Sequence, residues 1–256
     1  MKKILITAGP TNEYIDEVMK ITNMSTGRVG IELTKKFLSE GNEVTLIATR
    51  SVFRSGLFEK YDLFQKEGLK SIQIETTEDM YKALEKESKN EYDMVIHSSA
   101  VGDYKPEFSF RMEDLAKEIE KLIKEGKITY EEILNVLTNP NCKVNDDTKI
   151  SSYEPHLTVK LTLTTKLISH LREWYPESLL VGFKLLENVE KEYLMEVARK
   201  LCIKNRMDYI IANDLHDLRQ GEHLSFLVSE EGYQNIEYHT PQDIYEETNK
   251  LMLTRK

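Results

Sequence analysis

Short apolar runs alternate with amphipathic segments along the first part of the chain. The run Lys3–Ala8 stops at Gly9-Pro10, which is typical of a buried strand that ends at a turn. Apolar residues then recur at near-helical spacing over residues 29–38, and Glu43–Thr49 forms a second apolar run. A strand, a helix and a strand in this order predict a βαβ unit, whose two strands are parallel.

The same alternation continues to the C-terminal end of the sequence. We predict further strands at Ser71–Glu75, Asp93–His97, Leu157–Leu163, Leu179–Leu185 and Tyr209–Ala212. We predict helices at Thr77–Glu87, Glu190–Lys204 and 241–254, and a hairpin that joins Leu224–Val228 to Gln234–His239. The expected fold class is α/β: a doubly wound, mainly parallel, Rossmann-like sheet with helices on both faces, which binds ligands at the carboxyl ends of its strands.

The pattern breaks between Pro106 and Thr148. Met112–Glu125 and Thr129–Leu137 are charged helical segments, in a place where a plain α/β fold needs only a short loop. We interpret residues 107–148 as a helical insertion in a single domain that spans residues 1–256.

Composition and charge narrow the class of protein. Of the 256 residues, 40% are hydrophobic and 31% are charged, which fits a soluble globular protein. Only two cysteines occur, Cys142 and Cys202, so a disulfide framework or a zinc site is disfavoured and a reducing compartment is expected. Because no apolar run approaches the length of a membrane span, we expect a cytoplasmic protein with no membrane segment. The net charge of −9 argues against a nucleic-acid binder.

A candidate anion site precedes the first predicted helix. Ser25 or Thr26 can cap this helix, and Gly27 lets a ligand approach the backbone. The free N–H groups and the positive end of the helix dipole attract phosphate. An ordinary capped helix without a ligand has the same pattern, so both interpretations stay open.

A second candidate is a pair of lysines on the helix near the C-terminal end of the fold. Lys200 and Lys204 are four residues apart and share one helix face, so both ammonium groups can reach one polyphosphate. A solvated basic face explains the same spacing.

The sequence lacks the patterns that are typical of nicotinamide-binding sites and of metal sites. The first strand is followed by Gly9 but not by a G-x-G-x-x-G fingerprint, which disfavours a nicotinamide oxidoreductase. His97 ends a buried strand, and we interpret it as a satisfied core histidine. No spacing of histidines and carboxylates indicates a metal site held by the protein alone.

Four blocks of residues together resemble the phosphopantothenate–cysteine ligase (phosphopantothenoylcysteine synthetase) family, in its stand-alone bacterial form. In chain order they are Gly9-Pro10-Thr11 with Ile21-Thr22-Asn23-Met24-Ser25-Thr26-Gly27, then Ala100-Val101-Gly102-Asp103-Tyr104-Lys105-Pro106, then Lys149-Ile150-Ser151-Ser152, and last Gly182-Phe183-Lys184-Leu185 with Ala212-Asn213-Asp214. They span most of the chain, and each lies at a predicted strand end, a helix start or a loop.

The resemblance implies a reaction. The carboxylate of 4′-phosphopantothenate attacks the α-phosphate of a nucleoside triphosphate, and the cysteine amine then displaces the nucleotide from the acyl-nucleotidyl intermediate. It also implies Mg²⁺ bound to the polyphosphate, a homodimer, and CTP or ATP as co-substrate. Relatives of bacterial type favour CTP over ATP, although Lys149–Ser152 and Lys184-Leu185 look more like the eukaryotic members.

The resemblance also implies site residues. Asn23 and Lys149 match the family's catalytic asparagine and its loop lysine. Asp103, Phe183, Lys200 and Lys204 match residues that contact the nucleotide, and Ser25, Thr26 and Gly27 lie in the block that binds phosphate or substrate. Two alternatives remain from the fold alone: a nucleotide-dependent oxidoreductase and a non-catalytic nucleotide-binding protein.

Overall fold

The structure is a computed structural model that describes residues 1–144, 150–151, 153, 155–220, 224–233 and 237–255. The chain divides into two compact units. Unit 1 contains Met1–Thr11, Asn23–Val101 and Thr165–Lys256, and unit 2 contains Asn12–Thr22 and Gly102–Thr164.

The elements are numbered in chain order. The strands are β1 Lys3–Ala8, β2 Asn12–Tyr14, β3 Lys20–Thr22, β4 Glu43–Thr49, β5 Leu69–Ile74, β6 Met94–His97, β7 Tyr104–Arg111, β8 Lys143–Val144, β9 Leu157–Leu163, β10 Leu179–Leu186, β11 Tyr209–Asp214, β12 Ser225–Ser229 and β13 Gly232–Tyr233. The helices are α1 Arg28–Ser39, α2 Arg50–Phe53, α3 Gly56–Lys60, α4 Thr77–Glu87, α5 Met112–Lys124, α6 Tyr130–Thr138, α7 Leu171–Trp174, α8 Lys191–Asn205, α9 Leu215–Gln220 and α10 Pro241–Thr254.

Unit 1 is built on one sheet, whose described strands have the order β5-β4-β1-β6-β10-β11-β12-β13. The pairs from β5 to β11 are parallel, and β12 and β13 are added antiparallel. The predicted doubly wound, mainly parallel, Rossmann-like sheet is confirmed. The direction of chain progression reverses between β1 and β6, and this switch point is where sheets of this type open a crevice for ligands.

Helices cover both faces of this sheet, because its central strands are apolar on both sides. Ile4 and Ile6 of β1 pack with residues of α1 and α10, whereas Leu5 packs on the other face with residues of α4 and α8. All three side chains are fully buried. Such two-sided burial, worth about 1.5–3 kcal/mol for each large aliphatic side chain, explains why the parallel strands read as continuous apolar runs.

Two helices of unit 1 begin with capping boxes. The hydroxyl of Thr76 accepts from the Asp79 amide, and the Asp79 carboxylate accepts from the Thr76 amide. Thr240 and Asp243 make the same exchange at the start of α10.

Unit 2 has its own antiparallel sheet, with β7 between β8 and β9. Helices α5 and α6 agree with the predicted helical segments, and Phe108, Phe110 and Leu115 form a small core. The sequence missed β7, because Pro106 and a register shift between Pro106 and Phe108 interrupt its alternation. The sequence analysis also predicted no hairpin at β2–β3, because strands of three residues are too short for a periodic signal. The insertion boundaries at residues 107–148 stay a prediction.

The predicted C-terminal hairpin is tighter than expected. Ser229 pairs with Gly232, so the turn consists of Glu230 and Glu231. Residues 234–236 of the predicted second strand lie outside the described residues, and Tyr238 returns to pair with Ser225. Within the described part of the chain, no helix has the length and apolar character needed to cross a bilayer.

Candidate functional site

The carboxyl ends of β1 and β6 remain paired beyond the strands at the switch point of unit 1. The Ala100 amide donates to the Gly9 carbonyl at 2.9 Å, and the Thr11 amide donates to the Ala100 carbonyl at 3.4 Å. The segments 9–11 and 98–101 therefore form a rim along the carboxyl edge of the sheet, where ligands bind in folds of this type.

Glycines bring the start of α1 close to this rim. Gly27 is the N-cap, with φ of 71°, and a Cβ there would lie 2.9 Å from Val52 Cγ2 and 3.1 Å from the Gly9 nitrogen. Gly9 also has a positive φ, of 78°, and its Cβ would clash with Val52. A Cβ at Gly30 would lie 2.5 Å from the Ala8 Cβ. These three glycines allow the tight turn and the close approach of backbones that the contiguous G-x-G-x-x-G motif provides in dinucleotide-binding folds. The sequence missed them as a set, because residues 12–22 separate them.

The first turn of α1 has weak side-chain caps. The N-cap is Gly27, not Ser25 or Thr26 as the sequence suggested. The Ser25 hydroxyl is 3.4 Å from the Gly27 nitrogen, and the Thr26 hydroxyl is 3.4 Å from the Arg28 nitrogen. No acidic residue occupies this turn. The helix start therefore keeps the positive potential that attracts an anion.

Asn23 ties the segment before α1 to the segment after β6. Its Nδ2 donates to the carbonyl oxygens of Ala100 at 3.2 Å and Val101 at 3.0 Å. Two facing carbonyls can only accept, so they fix the orientation of the amide. Both N–H groups are engaged, and Oδ1 is left as an acceptor.

A polar cluster lies at the ends of β1 and β6. The hydroxyl of Thr7 is 2.8 Å from Nδ1 of His97, and it accepts from the Ser99 amide at 3.3 Å. Thr7 is fully buried and His97 is 7% exposed. Burial lowers the pKa of His97 to about 4, so the ring is neutral near pH 7. We expected a core histidine whose ring nitrogens are both hydrogen-bonded, but among the described residues only Nδ1 has a partner.

The other predicted residues lie in different places. Phe183 is half-buried in β10 and packs on the α1 face of the sheet. Asp103 belongs to unit 2, where its side chain is exposed and its carbonyl accepts from the Thr164 amide at 3.0 Å. Lys149 lies outside the described residues.

Lys200 and Lys204 are exposed near the C-terminal end of α8. This helix connects two parallel strands, so it ends at the amino edge of the sheet, opposite the rim. Arg199 donates to the Glu230 carbonyl in the β12–β13 turn at that edge, and Lys200 pairs with Glu196 at 2.5 Å. Unit 1 therefore does not bring these lysines together with Gly9 and Gly27.

One anchoring residue was missed by the sequence. Asp16 is buried in unit 2, and its carboxylate accepts from the amides of Val18 at 2.7 Å, Met19 at 2.6 Å and Ile150 at 3.0 Å. It fixes the residue that follows Lys149. An aspartate in a polar segment carries no signal of such a distant partner.

A family model described as the DNA/pantothenate metabolism flavoprotein C-terminal domain matches residues 1–141, more than half of the chain. The chain belongs to this family. The resemblance carried by the four sequence blocks is confirmed at this level.

Individual relatives agree with this membership. The chain is 30% identical over 246 residues to the coenzyme A biosynthesis bifunctional protein CoaBC of Thermococcus kodakarensis, covering 96% of this chain and 49% of that protein. It thus spans about half the length of the curated relatives it matches. A solved DNA/pantothenate metabolism flavoprotein from Streptococcus pneumoniae is 33% identical, with a TM-score of 0.78 over 99% of both chains. A solved Cab2 variant in complex with phosphopantothenate-cysteine shares the fold, with a TM-score of 0.63, 16% identity and coverage of 98% of this chain and 87% of that one.

Proposed function

We propose that the protein is a phosphopantothenate–cysteine ligase, which forms the amide bond between 4′-phosphopantothenate and L-cysteine through an acyl-nucleotidyl intermediate. The observation that carries the proposal is the glycine-lined start of α1 beside the rim, with Asn23 hydrogen-bonded to Ala100 and Val101. Family membership supports the same reaction.

The start of α1 is suited to an anionic group of the substrates. Gly27 and Gly9 leave the backbone bare of side chains, and the Ser25 and Thr26 hydroxyls are weakly engaged and free to turn toward a phosphate. Neutralising charge on phosphate oxygens is the main electrostatic task of a nucleotidyl transfer.

Asn23 is the proposed catalytic amide. In the first step, a carboxylate oxygen bonds to the α-phosphorus and the bond to the pyrophosphate oxygen breaks. In the second, the cysteine nitrogen bonds to the acyl carbon, the acyl–phosphate bond breaks, and the amine loses a proton. Negative charge grows on the acyl oxygen in the second step. An Asn23 N–H that leaves the Ala100 carbonyl, the longer of its two bonds, can donate there.

Further roles come from the resemblance. Lys149 is the proposed loop lysine that neutralises nucleotide charge, and Asp103 and Phe183 are proposed nucleotide contacts. Lys200 and Lys204 do not enter the site in unit 1, because they lie toward the amino edge. Their nucleotide role stays a prediction of the resemblance alone.

The proposed co-substrate is CTP in preference to ATP. The described residues contain no group of three or more histidine, cysteine or carboxylate side chains that could hold a metal. The resemblance implies Mg²⁺, which enters the proposal with the triphosphate as its counter-ion. We further propose a homodimer in a reducing cytoplasm, in keeping with the free cysteines Cys142 and Cys202; light scattering measures the assembly.

The test is a pyrophosphate-release assay with 4′-phosphopantothenate, Mg²⁺ and either CTP or ATP, with and without cysteine. We expect product with cysteine, and a higher kcat/KM for CTP. Absence of phosphopantothenoylcysteine with both nucleotides would refute the ligase, and an ATP value equal to or above that for CTP would refute the base preference alone.

A further inference from the structure

His97 is hydrogen-bonded through only one of its two ring nitrogens. Nδ1 meets the Thr7 hydroxyl at 2.8 Å, and no described residue hydrogen-bonds Nε2. The side chain is only 7% exposed, at the last position of β6. Among the described residues, the solvent-shielded side-chain atoms without a partner include Ser99 Oγ but not His97 Nε2, so Nε2 keeps contact with solvent and is open to a ligand at the crevice.

The hydrogen bonds of Thr7 determine which nitrogen carries the proton. Its hydroxyl oxygen already accepts the Ser99 amide at 3.3 Å. Among the described residues, Nδ1 of His97 is the only acceptor within reach of the hydroxyl hydrogen. The arrangement in which Nδ1 accepts is the one that gives this buried hydrogen a partner, and in a neutral ring the imidazole hydrogen then lies on Nε2. Thr7 thus presents His97 as a neutral N–H donor.

A second group of the same cluster also lacks a partner. Ser99 Oγ is shielded from solvent and has no hydrogen-bond partner among the described residues. The Ser99 amide and the His97 ring meet at the same Thr7 hydroxyl, so both unsatisfied groups belong to one cluster. We call Thr7, His97 and Ser99 the Thr7 cluster.

The position of the Thr7 cluster indicates which part of a ligand it fits. Thr7 and His97 follow Leu5 and Val95 by two residues, so they share the α4 and α8 face of the sheet, whereas α1 lies on the other face. The anion-attracting start of α1 and the Thr7 cluster therefore flank one switch point. A phosphate is best matched by a cation, whereas a neutral imidazole matches an uncharged acceptor such as a ring nitrogen or carbonyl of a nucleobase.

We propose that His97 is a specificity-determining residue that donates its Nε2–H to the base of the nucleotide co-substrate, with Thr7 holding the tautomer. This inference rests on the proposed function, because it takes the co-substrate to be a nucleotide. It assigns base recognition to a side chain that the mechanism above does not use.

The first experiment measures the imidazole nitrogens of the wild-type protein by ¹⁵N NMR, with the His97 signals assigned by their loss in His97→Leu. We expect the Nε2–H tautomer in the free protein. Saturating CTP, added without phosphopantothenate so that no turnover occurs, should shift the Nε2 signal. Pyrophosphate and phosphopantothenate should leave it in place.

The second experiment uses calorimetry with CTP. His97→Leu should raise the Kd about two- to tenfold, the effect of losing one neutral hydrogen bond. Thr7→Val, which keeps the shape but removes the hydroxyl, should raise the Kd less and give a mixture of tautomers. Thr7→Ser should behave as wild type, and His170→Gln, which changes a partly buried histidine packed on Tyr81 and Trp174 outside the cluster, is the control.

The outcomes separate this inference from the ligase proposal. A protein that forms product but whose His97 signal ignores CTP overturns the inference alone. A shift caused equally by pyrophosphate means that phosphate occupies the cluster, and a shift caused by phosphopantothenate alone means that the other substrate does; both overturn base recognition. A protein that binds neither CTP nor ATP overturns the proposed function as well. If His97→Leu fails to fold, variants of the other five histidines assign the His97 signals by exclusion, and the wild-type spectra then decide.

Discussion

The side-chain amide of Asn23 donates to the backbone carbonyl of Val101 across 3.0 Å, although the two residues are 78 positions apart in the chain. A second bond to the Ala100 carbonyl uses the other amide hydrogen. Asn23 therefore has two possible roles, as a tie between the segments at the switch point and as a donor to the reacting acyl group.

Replacing Asn23 separates these roles. We expect Asn23→Ala to lower kcat about 10²–10³-fold, the usual cost of one oxyanion donor. The free energy of unfolding should fall by no more than about 1–2 kcal/mol, because the two bonds are exposed. Asn23→Asp should be at least as impaired, since its carboxylate would face two carbonyl oxygens. Steady-state kinetics and urea unfolding measure both effects.

Asn42→Ala is the control for this pair. The Asn42 side chain also bonds a distant backbone group, the Lys2 amide at 3.0 Å, but at the amino end of β1. It should lose stability without losing kcat. A near-wild-type kcat for Asn23→Ala would leave the residue as a structural tie only.

Gly27 offers a matched test of close approach at the start of α1. Gly27→Ala adds a strained positive φ, worth about 1–3 kcal/mol, and places a Cβ 2.9 Å from Val52 Cγ2. Gly41 follows the same helix with φ of 75°, and an added Cβ there meets nothing within 4 Å. Gly41→Ala should therefore show the strain alone.

We expect Gly27→Ala to be the more destabilising of the two glycine variants in urea unfolding. It should also weaken substrate or nucleotide affinity in calorimetry, because a methyl group then occupies the bare helix start. Equal affinities for both glycine variants would show that no ligand approaches Gly27.

The resemblance assigns a nucleotide contact to Lys200 and Lys204, whereas the position of α8 places them away from the start of α1. Replacing both lysines distinguishes these two expectations. Because α8 ends at the amino edge, we expect the double variant Lys200→Ala/Lys204→Ala to keep the Kd for CTP within about twofold of the wild-type value. Such a change is smaller than the effect of losing one hydrogen bond to the nucleotide. The Lys200–Glu196 pair is exposed, so the loss of stability should also be small. A tenfold rise in the calorimetric Kd would restore the role that the resemblance assigns.

The sequence predicted the elements that are apolar on both faces and missed what depends on distant partners. Strands such as β1 and β10 were found within a residue or two, because two-sided burial leaves an uninterrupted apolar run. The three-residue strands β2 and β3 and the Pro106-containing β7 lack such a run. At the site, a motif pointed to Asn23 and Gly27, but no local pattern reveals that Asn23 meets Val101 or that His97 meets Thr7.

Asp16 is the residue whose role was least visible in the sequence, and it gives the last prediction. Its carboxylate holds the amide of Ile150, which directly follows Lys149, and also the turn amides of Val18 and Met19. Asp16→Asn replaces one acceptor oxygen by a donor and weakens charge-assisted bonds. We expect a loss of about 1.5–3 kcal/mol in the free energy of unfolding. Hydrogen exchange should show faster opening at the Ile150 amide.

If the position of Ile150 matters for Lys149, Asp16→Asn should also lower kcat, and it should do so much less in a Lys149→Gln background, because the two changes then affect one step. Asp243→Asn is the matched control, since Asp243 accepts two backbone amides, of His239 and Thr240, both at 2.8 Å, at the start of α10. It should destabilise the protein without lowering kcat. Fully additive effects of Asp16→Asn and Lys149→Gln on kcat would show that Asp16 stabilises unit 2 and has no part in placing the lysine.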